Sequence, residues 1–214
     1  MPLLIPQSRQ RLMRWKNGGG MTCEIMRFPQ DSSLESFDWR VSVATVQQGG
    51  AFSLFPGIDR SLAILEGKGI ALDIGGALQQ LTPRDPVLRF DGAADVHSTL
   101  VDGDIVDFNV MTRRTAYTHT LERLAVTGQT ALPCDALTLL YVINGSCSLS
   151  GADKLRAGDA VLFDEADSPR VLHSNAAKVM LVRLRRQDQE PTIANATASA
   201  TRMPSIDADM MPPA

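Results

Sequence analysis

Period-two alternation in Phe37-Asp-Trp-Arg-Val-Ser-Val-Ala44 puts Trp39, Val41 and Val43 on one face of a strand and Arg40, Ser42 and Ala44 on the other. Asp107-Phe-Asn-Val-Met-Thr-Arg113 alternates in the same way, with Asp107, Asn109, Met111 and Arg113 opposite Phe108 and Val110. An Arg, a Ser, an Asp and an Asn pointing into one β-cavity have the chemistry to bind a small zwitterionic or carboxylate-bearing molecule. Guanidinium offers a two-pronged donor to a carboxylate, and an amide offers both a donor and an acceptor. The same alternation also describes the solvated outside of a sheet, and spacing alone leaves both readings open.

Two further segments carry polar chemistry. Trp15-Lys-Asn-Gly-Gly-Gly-Met-Thr-Cys-Glu24 holds three successive glycines, whose free N–H groups beside Lys16 could hold an anion. A tight turn anchored by Trp15 explains the same residues, and pattern alone favours it. Phe52-Ser-Leu-Phe-Pro-Gly-Ile-Asp-Arg60 reads as a turn leading into an apolar strand, with Asp59 and Arg60 at the strand mouth. That pair either orients a ligand or caps the turn. Metal chemistry has little support, because His97, His119 and His173 form no HxH, HxxxH or HExxH array. Nucleophilic catalysis has none, since GxSxG is absent and no Ser or Cys has a base partner evident in sequence.

The elements that must position these residues are strands. Trp39–Val46, Leu62–Leu65, Val106–Met111, Leu137–Ile143, Ala160–Phe163 and Val179–Leu184 are short, rich in β-branched residues and separated by Gly, Asp and Asn turn signals. Gly67–Gly69, Gly75–Gly76, Asn144–Gly145 and Gly158–Asp159 are candidate hairpin turns. No apolar stripe of helical period extends over three turns; Pro6–Trp15 is the best helix candidate. The run Leu62 to Gly67, Val87 to Asp91 and Asp107 to Arg114 resembles the run Leu140 to Gly145, Ala160 to Asp164 and Val179 to Arg186. A duplication at a period of roughly seventy residues predicts two similar β-lobes. From Gln187 to Ala214 the chain is rich in Ala, Thr, Ser, Pro and Asp, and a flexible tail without chemistry is expected.

Composition narrows the partners. With 214 residues, 44% hydrophobic and 21% charged, the chain is long enough for a buried core. A net charge of -3 argues against nucleic acid or an anionic membrane as the main partner. Three cysteines without a CxxC pair fit reduced thiols, and no run approaches the ~20 apolar residues of a membrane helix. A soluble, cytoplasmic protein is expected.

Four blocks, Trp15-Lys-Asn-Gly-Gly-Gly with Thr22 and Glu24, Phe37 to Ala44, Phe52 to Arg60 and Asp107 to Arg113, resemble in type and order the signature of the HutD/Ves family. The resemblance covers roughly residues 10 to 186. It implies a mainly β, two-lobed cupin (a double jelly-roll β-barrel), with an N-terminal lobe over 1–115 holding a ligand pocket, a C-terminal lobe over 116–186 and a tail over 187–214. It further implies association with histidine utilisation, and modulation of that pathway by binding an intermediate such as N-formimino-L-glutamate or urocanate. Metal-dependent cupins carry an HxH pair and a Glu in the first motif; no such histidines stand at Gly67–Gly76 or Gly145–Gly151, so neither a metal nor another cofactor is expected.

On this reading the expected ligand-binding residues are Trp15, Asn17, Gly18, Gly19, Arg40, Ser42, Asp59, Arg60, Asp107, Phe108 and Asn109. Arg40 and Arg60 would pair with carboxylates, while Ser42, Asn109 and the Gly18–Gly20 backbone supply neutral hydrogen bonds. Asp107 or Asp59 would meet a formimino cation, and Trp15 and Phe108 would wall the site. The partner is then a small carboxylate metabolite, with neither nucleic acid nor membrane, and a homodimer is compatible with the reading. The rivals are a metal-independent isomerase or hydrolase using Asp107 or Asp59 as base, and a protein-interaction module.

Overall fold

The computed structural model describes residues 2–132, 135–149, 154–164 and 170–187. Cys134 and the segment beyond Gln187, expected to be a flexible tail, lie outside the described residues. Strands β1 (Leu3–Ile5), β2 (Arg11–Arg14), β3 (Gly20–Phe28), β4 (Trp39–Val46), β5 (Gly50–Ala51), β6 (Ile58–Glu66), β7 (Ile70–Ile74) and β8 (Ala77–Leu81) come first. They are followed by β9 (Leu88–Asp91), β10 (Val96–Leu100), β11 (Ile105–Arg113), β12 (Tyr117–Leu132), β13 (Leu137–Leu149), β14 (Lys154–Arg156), β15 (Ala160–Phe163) and β16 (Arg170–Arg186). Among the described residues there is no α-helix. Pro6–Trp15 forms a 3-10 turn at Gln7–Arg9 and then the edge strand β2. So short a stretch cannot offset the cost of helix nucleation when an open sheet edge can take its backbone hydrogen bonds.

The strands form three sheets, ordered β2-β3-β4-β11-β6-β9, β5-β10-β7-β8 and β1-β15-β13-β16-β12, with β14 on β13. The path β4-β11-β6-β9 recurs as β12-β16-β13-β15, which is the repeat anticipated from the sequence. In the second copy, three long strands bend at register shifts between Val126 and Gly128, Val142 and Asn144, and Gly145 and Ser148. Their far ends pair with one another and with β14, doing the work of the separate β5, β10, β7 and β8. Asn144–Gly145 is therefore a bulge inside β13 rather than a hairpin turn. Gly145 has φ +76°, and a Cβ there would lie 2.3 Å from the Ala176 carbonyl oxygen. The two halves are also tied by β1, which leaves the N-terminal half to pair with β15 (Leu3 opposite Leu162). This is a cupin-like β-sandwich fold; the sheets pack as layers, without a single closed barrel.

The sheet β2-β3-β4-β11-β6-β9 is covered on both sides. Its Trp39, Val41, Ala63, Phe108 and Val110 face the C-terminal half, packing with Leu121, Leu139, Tyr141, Met180, Val182 and Leu184. The Phe108 and Tyr141 rings pack at a tilt of 46° with centres 5.4 Å apart. Fully burying side chains of this size stabilises by roughly 1.5–3 kcal/mol each. The interior of the C-terminal half is apolar, filled by residues including Leu140, Val142, Cys147, Leu155, Phe163, Val179 and Leu181. That filling is in keeping with the apolar Val179-Met-Leu strand.

A small hydrogen-bonded polar cluster stands in the junction. The His119 ring, from β12, is buried between Thr112 Oγ1 (2.7 Å from Nδ1) and Ser61 Oγ (2.8 Å from Nε2), both from the facing sheet. Burial lowers its pKa to about 4, Arg89 pushes the same way and Asp59 opposes. Because the unfolded chain takes up this proton near pH 6.5 while the folded protein refuses it until about 4, the contribution of His119 to stability falls as pH drops through that window, opposite in sign to that of any carboxyl whose pKa the fold raises. The expected loss is about 3 kcal/mol by pH 4. Urea unfolding of the native protein and His119→Gln at pH 7.5 and 4.5 checks it: the difference in stability between them should shift toward the variant at pH 4.5, and an unchanged difference contradicts the assignment.

Candidate functional site

The other face of the same sheet is where the predicted polar residues converge. Antiparallel register aligns Arg27, Arg40, Met111, Arg60 and Phe90 in one row across β3, β4, β11, β6 and β9. The next row holds Glu24, Ser42, Asn109 and Leu62, and the one beyond holds Thr22, Ala44, Asp107 and Ile64. A bulge in β3 between Glu24 and Met26 turns Arg27 to the side of Glu24. This polar face is largely buried too: Arg40 is 8% exposed, Arg60 6%, Asp107 5% and Ser42 3%, with Thr22, Arg27 and Asn109 half-buried. Of the two readings that alternation left open, burial decides for the interior.

Arg40 is already paired. Its Nε donates to Glu24 Oε2 at 2.7 Å, and Arg27 Nε lies 3.6 Å from the other carboxylate oxygen. Glu24 was absent from the expected site residues, although Thr22 and Glu24, two apart on one strand and part of the first signature block, were the available signal. Removing its charge in Glu24→Gln strands two guanidinium groups and should cost about 3 kcal/mol. A fall in the urea midpoint checks this; an unchanged midpoint contradicts it.

Arg60 is different. Among the described residues no carboxylate forms an ion pair with it, its Nε has no hydrogen-bond partner, and Nη1 makes a long bond of 3.4 Å to the Ser53 carbonyl. Its guanidinium instead lies over three rings, 5.0 Å from Phe52, 5.0 Å from Phe90 and 5.8 Å from Phe55. Burial lowers its pKa to about 10, with Asp107 raising it and Arg40 lowering it further, so it stays cationic at neutral pH. Asp107 is raised to about 7 by burial, against the pull of Arg60 and of the Ala44 amide. Asp107 Oδ1 and Asn109 Oδ1 are both buried without a partner. A free donor and two free acceptors thus share one interior face, and buried polar atoms of native proteins rarely go unpaired without a role.

The remaining expected residues fall elsewhere. Phe108 does not wall this face: alternation along β11 turns it to the junction, fully buried against Tyr141. Asp59, next to Arg60 but pointing outward, pairs with Arg114 at 2.7 Å, and Asp91 joins them at 3.1 Å. Trp15 borders the interior, where its Nε1 donates to Thr22 Oγ1 at 2.8 Å. The glycine turn is closed on itself rather than open to an anion. Gly18 N–H donates to the Trp15 carbonyl, and Gly19 N–H donates to Asn17 Oδ1 at 3.0 Å. Gly20 is required by packing, since a Cβ would lie 2.6 Å from the Thr45 oxygen and 3.0 Å from the Trp15 ring. Phe52, Phe55 and Phe90 join the site instead.

Two wide grooves lie away from these residues. One of about 510 Å³, at the junction, is lined by residues including Ser61, Arg89, Glu122 and Arg123. The other, about 590 Å³, lies beside Gly145, Lys154, Arg156 and Asn175. Their charged groups are largely solvated, whereas three buried unpaired atoms, on Arg60, Asp107 and Asn109, share one interior face, which makes that face the candidate site. No group of three or more His, Cys, Asp or Glu side chains that could hold a metal ion occurs among the described residues. The interior carries three guanidinium groups, which repel a cation.

Residues 7–181 match the HutD family. The chain belongs to the HutD family. An uncharacterized 21.2 kDa protein in the hutC 3′ region of Pseudomonas putida is 34% identical over 154 residues, 68% of this chain and 77% of that protein. Protein Ves of Citrobacter koseri is 40% identical over 101 residues, 47% of this chain; the match spans about half of Ves (52%). HutD from Pseudomonas fluorescens SBW25, solved in a formate condition, superposes with a TM-score of 0.75 at 27% identity, covering 88% of this chain and all (100%) of that one. The bacterial pirin YhhW of Escherichia coli, in complex with nickel(II), has a TM-score of 0.66 at 12% identity over 86% of this chain and 98% of its own, and shares the fold alone. No helix among the described residues is long and apolar enough to cross a membrane.

Proposed function

We propose that this HutD-family protein is a cytoplasmic small-molecule-binding cupin that modulates histidine catabolism by holding a carboxylate intermediate in its N-terminal half. The observation that carries this reading is Arg60: a buried guanidinium that forms no ion pair among the described residues, its faces held by three rings and its Nε free. Burying a cation unpaired is costly, and a bound carboxylate removes that cost through charge-assisted, two-pronged hydrogen bonds. Asp107 Oδ1 and Asn109 Oδ1 ask for the opposite chemistry, an N–H donor at the other end of the ligand. N-formimino-L-glutamate and urocanate both combine a carboxylate with an N–H donor. The link of the family to histidine-utilisation genes, carried by the hutC-region relative, supports that class. Isothermal titration with N-formimino-L-glutamate, glutamate, formate and urocanate tests the reading: saturable heat is expected with at least one, and silence with all four overturns it.

Asp107 favours one second reading. A buried carboxyl titrating near 7 beside a guanidinium is suited to general acid–base work, so a metal-independent isomerase or hydrolase is the alternative. Turnover of either metabolite by chelator-treated protein, lost in Asp107→Asn, would select it; binding without turnover selects the first reading.

A further inference from the structure

A carboxylate on Arg60 leaves a second orphaned donor on the same face unused. Arg27 Nε is buried without a hydrogen-bond partner, and at 3.6 Å from the nearer Glu24 oxygen it is too far away to make one. Arg40, beside it, gives Glu24 a single N–H at 2.7 Å, and among the described residues nothing accepts from the Nη atoms of either arginine. One guanidinium can fill a carboxylate with two parallel bonds, so Glu24 alone satisfies neither. The side chains of Arg27 and Arg40 keep 12% and 10% of their surface accessible, which leaves their outer ends within reach of a ligand. Charge points the same way. Arg27, Arg40 and Arg60 share one row, while the carboxyls on that face are Glu24 and Asp107, the latter raised by burial to about 7 and so only partly ionised at neutral pH. A single ligand carboxylate leaves part of the positive excess standing; two, with Asp107 protonated, cancel it. Register sets Arg40 and Arg60 two strands apart, about 10 Å at the backbone, with the uncharged Met111 between them. Two carboxylates on one short aliphatic chain can span that gap between long arginine side chains. We propose that the site takes a dicarboxylate, with one carboxylate on Arg60 and the other on the Nη ends of Arg27 and Arg40, and thereby selects against monocarboxylates. This rests on the carboxylate reading of the site and narrows it, since N-formimino-L-glutamate carries two carboxylates and urocanate one.

Calorimetry of the full chain with N-formimino-L-glutamate, its α- and γ-monoamides and urocanate tests it. An amide keeps the shape of a carboxylate and removes its charge, so each monoamide, and urocanate, should bind at least tenfold more weakly than the diacid. A monoamide or urocanate that binds within tenfold of the diacid overturns the dicarboxylate site and leaves the binding reading standing. Absence of saturable heat with every compound overturns both. This series needs only the native protein, so it decides the matter even if a variant is unstable. Arg27→Gln, which leaves Arg40 on Glu24, locates the second carboxylate. It should cut the preference for the diacid over one of the two monoamides at least fivefold. An unchanged preference over both overturns the place given to Arg27.

Discussion

Arg60→Met is expected to weaken carboxylate binding about 100-fold or more while leaving the protein folded and no less stable than the native chain. Truncating one partner of a buried, hydrogen-bonded charge pair typically costs 2–5 kcal/mol, or about 30- to several-thousand-fold in affinity. Stability should move the other way. In the free protein Arg60 is 6% exposed with an unpaired Nε, so it contributes a desolvated charge that the rings of Phe52, Phe55 and Phe90, the Asp107 carboxyl and a long bond to the Ser53 carbonyl offset in part. Methionine is long enough to fill much of the same space with apolar atoms. Calorimetry and urea unfolding on the same samples read both effects. Undiminished affinity contradicts the assignment of the carboxylate to Arg60, and a large loss of stability shows instead that Arg60 is an architectural cation.

Asp107→Asn should stabilise the ligand-free protein at alkaline pH and change little near pH 4. The folded-state pKa of about 7 lies above the ordinary carboxylate value of 3.8. Below 3.8 folded and unfolded chains are both protonated, and the residue is neutral in the comparison. As pH rises from 3.8 toward 7 the unfolded chain ionises first, so Asp107 takes stability from the native protein through that window, and above 7 its cost is complete at about 4 kcal/mol. Asparagine has nearly the same shape and never ionises. Unfolding midpoints of both proteins from pH 4 to 9 should diverge with the native protein falling away; parallel curves contradict a buried, titrating Asp107. Ligand binding should share the midpoint near neutrality, since a neutral Asp107 and a carboxylate Asp107 prefer different donors.

The legibility of the site followed from strand period. Arg40, Ser42, Asp107 and Asn109 were placed on shared faces because alternation needs only the local sequence, and cross-strand register then brought them together. The same reasoning already put Phe108 on the opposite face, and its expected role as a wall failed for that reason. Asp59 failed likewise, being one residue from Arg60 and hence turned outward to Arg114. Glu24, Arg27 and the three phenylalanines were not foreseen as site residues. Their contribution depends on which strands lie side by side and on a bulge in β3, neither of which a local pattern contains. The glycine turn was ambiguous in sequence because free and self-satisfied amides have the same composition; Asn17 closes it. The repeated strand path was visible as similar runs, while the fusion of separate strands into the long β12, β13 and β16 depended on bulges at Gly128 and Gly145 that resemble ordinary turn signals.

A crystal structure of the protein grown with N-formimino-L-glutamate tests the central claim most directly. The account predicts a carboxylate against Arg60 Nε and an N–H donor within hydrogen-bond distance of Asp107 Oδ1 or Asn109 Oδ1, with Arg40 still on Glu24. Ligand bound in the junction groove beside Ser61 and Arg89, with Arg60 Nε still unpaired, would contradict it.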